Sequence, residues 1–507
     1  MKNGRAFQIL NFRPAQNHKE EIAKKSSSLK TFCIVLGFCC ATAAVSSAQT
    51  LITLVNFDTT NAPQGALVQG TDGNLYGTTS GTTDESTSGT VFKMTPSGTL
   101  TTLYSFCSKT GCVDGQYPLA GVVQAANGDF YGTTNVGGAN SQGAVFQITP
   151  AGAFTTLYSF CVTTCADGGN PQAELVQATN GNLYGTTANG GIIDGNPSDG
   201  AQGTLFKIST AGVLTTLHTF CTHTNCPDGA HPRAKLIRGS DGFFYGTTSA
   251  GGAHGDGTVF KVNLLGNVTT LHSFDGADGA VPVAALVQAT DGNFYGTTSE
   301  GGANSGCDTL TCGTVFKMTP AGVVTTLYSF CSEASCADGS RPTGALIQAT
   351  DGNLYGTTYG FGSSNGTIFK IDASGTLTTL HQFCLGDCSD GLDPYAGLLQ
   401  ATNGTFYGTT FGVEGDSDGT VYSFSIGLGP FVKTQPTFGM VGRVVKILGY
   451  NLTGTTSVTF NGTAAAFTVV SGTEIKTTVP AGATTGSVEV TTPSETLNSN
   501  VVFSVVP

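Results

Sequence analysis

"LVQGTDGNLYGTT", residues 67–79, is written seven times with variations along this chain. Its tyrosine recurs as Tyr76, Tyr131, Tyr184, Tyr245, Tyr295, Tyr355 and Tyr407, at spacings of 50 to 61 residues. A period of that length reads as a propeller or an array of stacked units. One full unit, residues 345–383, is "ALIQATDGNLYGTTYGFGSSNGTIFKIDASGTLTTLHQF". It holds four β-type runs, at 346–349, 354–358, 367–371 and 377–383. Asp351-Gly352 and Ser374-Gly375 link the first two and the last two, and both pairs suit tight hairpin turns. Four antiparallel strands predict a propeller blade. Both faces of a blade pack on neighbours, so near-continuous apolar runs such as "TVFKM" replace strict alternation.

The ends of the array predict a closed ring. Seven blocks carry "YGTT", but only six are followed by a "TTLYSF"-like fourth strand. The missing strand stands ahead of the array as "TLITLVNFD", residues 50–58. Its return to the last block would remove two sheet edges that otherwise invite aggregation. The expectation is an all-β chain: a seven-bladed β-propeller over 50–426, closed by an N-terminal strand, then an immunoglobulin-like β-sandwich over 429–507.

Composition agrees. Charged residues are 11% of the 507, and Gly reaches 72, where about 25% and ~7% are usual. Residues 1–48 read as an export signal: seven cations against two acids in the first thirty, the apolar "TFCIVLGFCCATAAV", then "SSA" at 46–48. Removing it leaves 14 Lys+Arg against 31 Asp+Glu, a net of −17. That balance excludes nucleic acid and anionic membrane surfaces, which need basic patches. Nothing after residue 48 is long and apolar enough for a helical span.

Twelve cysteines beyond the signal fall into local pairs: Cys107/Cys112, Cys161/Cys165, Cys221/Cys226, Cys307/Cys312, Cys331/Cys336 and Cys384/Cys388. Five pairs share one repeat position, after the "TTLYSF" strand. Where the first member is missing (Phe57-Asp58, Phe274-Asp275) the second is missing too, as a disulfide requires. Zinc or redox sites need two-residue spacing and a second clustered pair, whereas these pairs have three or four intervening residues. The reading is six disulfide staples in an exported protein.

On "DGNLYGTT…GTVFK…G.LTTLYSF", residues 60–425 resemble the GloVer-type tandem-repeat extracellular proteins of bacteria. That resemblance implies a secreted or surface protein and brings no catalytic residues with it. The remainder is similar to an IPT/TIG domain, through "VKILGYNLTG", "VTFNGT", "VPAGATTGSVEV" and the closing "VVFSVV". Such a domain implies spacing or attachment.

A repeat separates structure from function: what every unit shares is scaffold, and what differs is open to function. Tyr76 and its equivalents read as inter-blade core. His218, His272 and His381 replace Tyr104, Tyr158 and Tyr328 in the fourth strand and read as packing substitutes. Asp114, Asp167, Asp228, Asp278, Asp338 and Asp390 all precede Gly and read as turn residues. "GSSNG" and "GDSDG" match GxSxG without the strand–turn–helix a nucleophile elbow needs. No metal site and no cofactor are expected.

Variation concentrates on one end of the ring, in the long loops after "YGTT" and the cysteine loops. Before the proline of "DGxxP" stand Tyr117, Asn170, His231, Val281, Arg341 and Asp393, as a binding ring at a channel mouth would read. Four loop aromatics, Tyr359, Phe361, Tyr395 and Phe411, fall in adjacent blades with Arg341 and Asp393 nearby. They predict an apolar platform with polar partners, suited to a glycan or a surface protein. Arg238 stands where the other six blades have Gln. The expected function is non-catalytic binding at or outside the cell surface; the alternative is a polysaccharide-acting lyase or glycoside hydrolase on a propeller scaffold.

Overall fold

The computed structural model describes residues 49–506 apart from 58–61, 82–87, 194–195, 198–201, 305–306, 308–311, 361–364 and 413–418. The export signal, Asp58 and Phe361 therefore lie outside the described residues. Described residues of the repeat region form seven four-stranded antiparallel sheets. The first holds Val68–Gln69, Leu75–Thr79, Thr90–Met94 and Leu100–Ser105; the sixth holds Ile347–Gln348, Leu354–Thr358, Thr367–Ile371 and Leu377–Gln382. In the seventh, Leu399–Gln400, Phe406–Thr410 and Thr420–Ser425 are completed by Thr50–Asn56 from the other end of the array. That strand pairs antiparallel with Thr420–Ser425, from Thr50 opposite Ser425 to Asn56 opposite Thr420. Phe57 then packs on Phe92 of the first sheet, ring centroids 5.4 Å apart.

Each letter of "YGTT" has a separate structural task. The tyrosines are buried and pack across sheets: Tyr76 stacks on Phe130, and Tyr355 tilts against Phe406. A buried hydroxyl needs a partner, and the turn before each strand supplies it. Tyr76, Tyr245, Tyr295 and Tyr355 donate to Asp72, Asp241, Asp291 and Asp351 at 2.7–2.9 Å. Asn127, Asn180 and Asn403 donate to the other three hydroxyls. The glycine makes room for the third strand's ring: a Cβ on Gly77 would lie 2.6 Å from Cζ of Phe92, its cross-strand partner. The first threonine ties neighbouring sheets, as Thr78 Oγ1 to the Ala120 carbonyl at 2.8 Å. The second ties strands within a sheet, as Thr79 Oγ1 with Thr90 Oγ1 at 2.8 Å.

The repeat glutamines close the ring. Gln124 accepts from the Thr71 N–H of the preceding sheet, and the pattern repeats as Gln177 to Ala126, Gln288 to Ser240, Gln348 to Thr290 and Gln400 to Thr350. Gln69 of the first sheet accepts from Thr402 of the seventh at 2.9 Å, across 333 residues. Arg238 occupies the fourth sheet's position, and a guanidinium has no acceptor to offer.

Two further four-stranded sheets build the C-terminal region. Lys433–Gln435, Val444–Leu448, Glu474–Thr478 and Phe467–Val469 form one; Ser457–Phe460, Thr463–Ala464, Val488–Thr491 and Thr496–Asn498 form the other. They enclose Val445, Ile447, Val458, Phe460, Ile475, Val488, Val490 and Phe503.

Candidate functional site

The hairpins joining first and second strands share one end of the ring, and the C-terminal sandwich sits on it. Phe431 donates its N–H to the Thr402 carbonyl at 3.0 Å, Gln435 Nε2 donates to Gln124 O at 2.5 Å, and Thr473 Oγ1 donates to Thr71 O at 3.2 Å. Lys433 gives its ammonium to the Gln400 carbonyl, and burial lowers its pKa to about 8. Across the ring, Arg238 lies over the Phe438 ring at 4.3 Å. Arg238 thus serves the domain junction. Burial pulls its pKa down, against the charge of Asp241. A cavity of about 500 Å³ remains at this junction, lined by Gln348, Thr350, Phe431, Asn498 and Asn500 among others.

The opposite end carries the long loops. Tyr117, Asn170, His231, Val281, Arg341 and Asp393 all adopt φ between +52° and +57°, a left-handed conformation that is uncommon outside Gly and an outlier for β-branched valine. Two backbone bonds hold each residue there: Asp393 N–H donates to Asn365 O, and Asp393 O accepts from Phe411 N–H, both at 3.0 Å. Likewise Arg341 O accepts from Tyr359 N–H at 3.1 Å. The ring of varied side chains is thus set by one repeated backbone shape.

Five of the expected site residues come together. Tyr359 and Tyr395 meet edge to face with centroids 5.9 Å apart. Burial raises the Tyr359 pKa, with the negative charge of Asp393 and the Tyr395 ring adding to it and Arg341 opposing. Asp393 is only 8% exposed, and among the described residues no donor or cation faces its carboxylate. Burial alone pushes its pKa up to about 7. Tyr395 is 41% exposed at the rim. Phe411 joins through its backbone bond to Asp393. Tyr117 and His231 stand elsewhere on the ring; the His231 Nδ1 is satisfied by the Ala188 carbonyl at 2.8 Å.

Two expectations need correction. The fourth-strand histidines and tyrosines are anchors as well as packing groups. Tyr104, Tyr158 and Tyr328 donate to Asp114, Asp167 and Asp338, while His218, His272 and His381 contact Asp228, Asp278 and Asp390 through Nε2 at 2.6–2.8 Å. Tyr and His alternate because both place a polar hydrogen at the same reach. The aspartates, secondly, accept these bonds and backbone N–H groups such as those of Cys161, Cys221 and Cys384. They fix the cysteine loops rather than only turning the chain. A groove of about 670 Å³ at this outer rim includes His381, Asp390, Glu333 and Leu385.

The staples are as expected. All six cysteine pairs sit at disulfide distance. The second members have a backbone task as well. Cys112, Cys165, Cys226 and Cys388 each adopt a left-handed backbone, with φ between +46° and +56°. Their carbonyls accept from the N–H groups of Gly115, Gly168, Gly229 and Gly391 at 2.8–3.0 Å. The physical reason is the shortness of the loop. Three or four intervening residues reverse the chain only if its ends leave the extended region, and the first members Cys107, Cys161, Cys221 and Cys384 are left-handed too, at +55° to +64°. Cys112, Cys165, Cys226 and Cys388 are half-buried turn residues of the outer rim. They close the loop through a backbone bond as well as through sulfur.

Sequence reasoning missed the residues one and three places after the ring proline. Arg233 follows Pro232 in the fourth sheet's entry, and its charge reaches Tyr395 at the seventh sheet's entry, where it opposes the upward push of burial on the phenol. Lys235 Nζ pairs with Glu174 Oε2 of the preceding sheet at 2.5 Å. The period-2 alternation of the entering strand was the signal that could have found both.

A search among curated proteins finds no match. Among solved structures, the extracellular domain of a protein assigned to the hybrid two-component systems of B. thetaiotaomicron is similar at 13% identity, with a TM-score of 0.48, over 86% of this chain and 52% of that one. This chain therefore spans about half the length of that relative. The PQQ-bound aldose sugar dehydrogenase of Streptomyces coelicolor gives 11% identity and 0.38, over 75% and 98%. A gluconolactonase of Xanthomonas campestris gives 12% and 0.36, over 75% and 92%. The IPT/TIG domain model matches residues 431–505. The repeat model matches residues 41–227 and 194–422, more than half of the chain, which therefore belongs to the Gloeobacter/Verrucomicrobia repeat family and carries an IPT/TIG domain.

Proposed function

We propose that this chain is an exported, non-catalytic binding protein of the cell surface or medium, and that its ligand is a glycan held at the loop-rich end of the ring. The observation that carries the reading is Asp393, buried and with no side-chain partner among the described residues, beside the crossed rings of Tyr359 and Tyr395. A buried carboxylate next to aromatic faces suits a polyhydroxylated ligand, whose hydroxyls would bond to the acid and whose C–H faces would cover the rings. Arg341 and Phe411 border the same patch. The other end of the ring is covered by the IPT/TIG domain, which leaves this end for a partner. Six cysteine pairs at disulfide distance and the N-terminal signal-like segment favour an oxidising compartment outside the cytoplasm.

The test is a glycan array probed with the exported chain, then repeated with Tyr359→Ala/Phe411→Ala. The expected result is weaker binding at an unchanged melting temperature. Unchanged binding, or loss of the fold, makes these residues packing. A surface protein as the ligand would show as capture by cells stripped of glycan. The second reading, a lyase or hydrolase, rests on the Asp393 pKa near 7, a value that suits a general acid. Turnover of a polysaccharide that Asp393→Asn abolishes would favour it.

A further inference from the structure

One group of side chains is set apart from everything used so far. The junction between the fifth and sixth sheets has two cysteine pairs where the other stapled junctions have one. Cys331 and Cys336 occupy the repeat position after "TTLYSF", while Cys307 and Cys312 come from the loop that follows the fifth "YGTT". These pairs lie apart in sequence, but all four Sγ atoms lie within 4.8 Å of one another. Cys307 and Cys312 are each 1% exposed and belong to the apolar cluster with Val315 and Phe330. Among the described residues this is the one place where four such ligand atoms converge.

We propose that these four cysteines are a redox-gated soft-metal site: two disulfides when oxidised, a tetrathiolate for zinc or a metal of similar preference when reduced. Four thiolates at about 2.3 Å from one ion stand roughly 3.8 Å apart, inside the 4.8 Å limit the sulfurs already keep. A dithiol reductant breaks the two S–S bonds with four electrons, giving four thiols and two oxidised reductant molecules. One M²⁺ then displaces four protons and leaves a site of net charge −2. In this buried setting the reduced cysteines stay thiols until a metal displaces their protons, so the tetrathiolate forms only with the ion bound. A single loop pair, as at Cys107/Cys112, offers only two ligands. The geometry also meets the requirement that spacing alone could not, a second pair beside the first.

The test uses the full chain with Cys33, Cys39 and Cys40 changed to Ser, reduced without denaturant under anaerobic conditions and titrated with Cd²⁺ alone. The expected result is one tight equivalent per chain with a thiolate-to-metal absorption band. Bound Cd²⁺ should shield four cysteines from alkylation, mapped to these positions. Cys331→Ser/Cys336→Ser should abolish the tight equivalent, and Cys107→Ser/Cys112→Ser should keep it. The first variant is expected to fold, because the junction at Phe274-Asp275 lacks the staple natively and still holds its loop through Asp278. If that variant unfolds, alkylation mapping of the reduced parent decides instead. Equal binding by the two variants, or Cd²⁺ protection spread over all pairs, overturns the proposal, as does unfolding of the parent on reduction.

Discussion

The two ends of the ring use the same repeat differently. At the hairpin end the residues are nearly identical from sheet to sheet, and six glutamines bond to the preceding turns. At the loop-rich end the backbone is just as regular, with six residues at φ near +54°, but the side chains there are Tyr, Asn, His, Val, Arg and Asp. Uniform chemistry builds a surface that a second domain can cover; uniform geometry with varied chemistry builds a surface that can discriminate. The one break in the uniform end, Arg238, falls where the covering domain places Phe438. Regularity serves architecture, and departures from it mark contacts.

This comparison presumes a closed ring, so the most disruptive test attacks closure. Deleting residues 51–57 removes the outer strand of the seventh sheet and the buried Phe57. Truncating a buried Phe alone typically costs about 3–5 kcal/mol, so the ring should lose its cooperative melting transition while the sandwich core retains its own. An unchanged calorimetric trace would break the closure and with it the distinction between ends.

A smaller effect is expected at Asp393. Between the ordinary aspartate value of 3.8 and about 7, the folded protein holds a proton that the unfolded chain has released. Stability should therefore fall as pH rises across that window, by at most about 1.4 kcal/mol per unit. Asp393→Asn should flatten this slope in urea titrations at pH 5, 6 and 7. An identical slope in the variant would remove Asp393 from the description of the loop-rich end as an unmet acid.

The hairpin end is sharpened by Arg238→Gln. The new amide is placed to accept from the third sheet as its equivalents do, while the cation–ring contact with Phe438 is lost. Such a contact contributes about 0.5–2 kcal/mol. Protection of the 426–432 amides from hydrogen exchange should drop, with the ring's own transition kept or slightly raised. If exchange there is unaltered, Arg238 does not hold the domain.

The smallest expected change is Tyr422→Phe. Six sheets place Phe opposite the "YGTT" glycine and the seventh places Tyr422, whose buried hydroxyl has no partner among the described residues. An unsatisfied buried hydroxyl costs about 1–3 kcal/mol, so the variant should be roughly 1 kcal/mol more stable by denaturant midpoint. A destabilised variant would mean the hydroxyl is engaged after all.

Much of this was legible in the sequence because a repeat reports its own scaffold. The four strands of the sixth unit were read to within a residue or two, since alternation of apolar runs with Asp-Gly and Ser-Gly is local chemistry. The pairing of residues 50–58 with the last block followed from counting. Tyr359, Tyr395, Arg341 and Asp393 lie in one sector because adjacent units place equivalent loops side by side. The roles of the fourth-strand histidines were not legible, since a hydrogen bond to an aspartate six to ten residues away depends on how the intervening loop folds. Nor was the second task of Cys112, Cys165, Cys226 and Cys388. Spacing shows that two cysteines can pair, but their left-handed φ and their bonds to the following glycines belong to the folded turn.

The sequence by itself determined the period, the strand boundaries, the local cysteine pairs and the closing strand, because all of these arise from short-range patterns repeated often enough to separate signal from chance. Only the tertiary structure decided what meets across units. It placed Arg238 against Phe438, buried the Asp393 carboxylate, set Arg233 within electrostatic reach of Tyr395, and brought Cys307 and Cys312 to Cys331 and Cys336. These contacts join residues whose spacing carries no periodic signature, and burial and charge act through distance in space, which no spacing along the chain encodes.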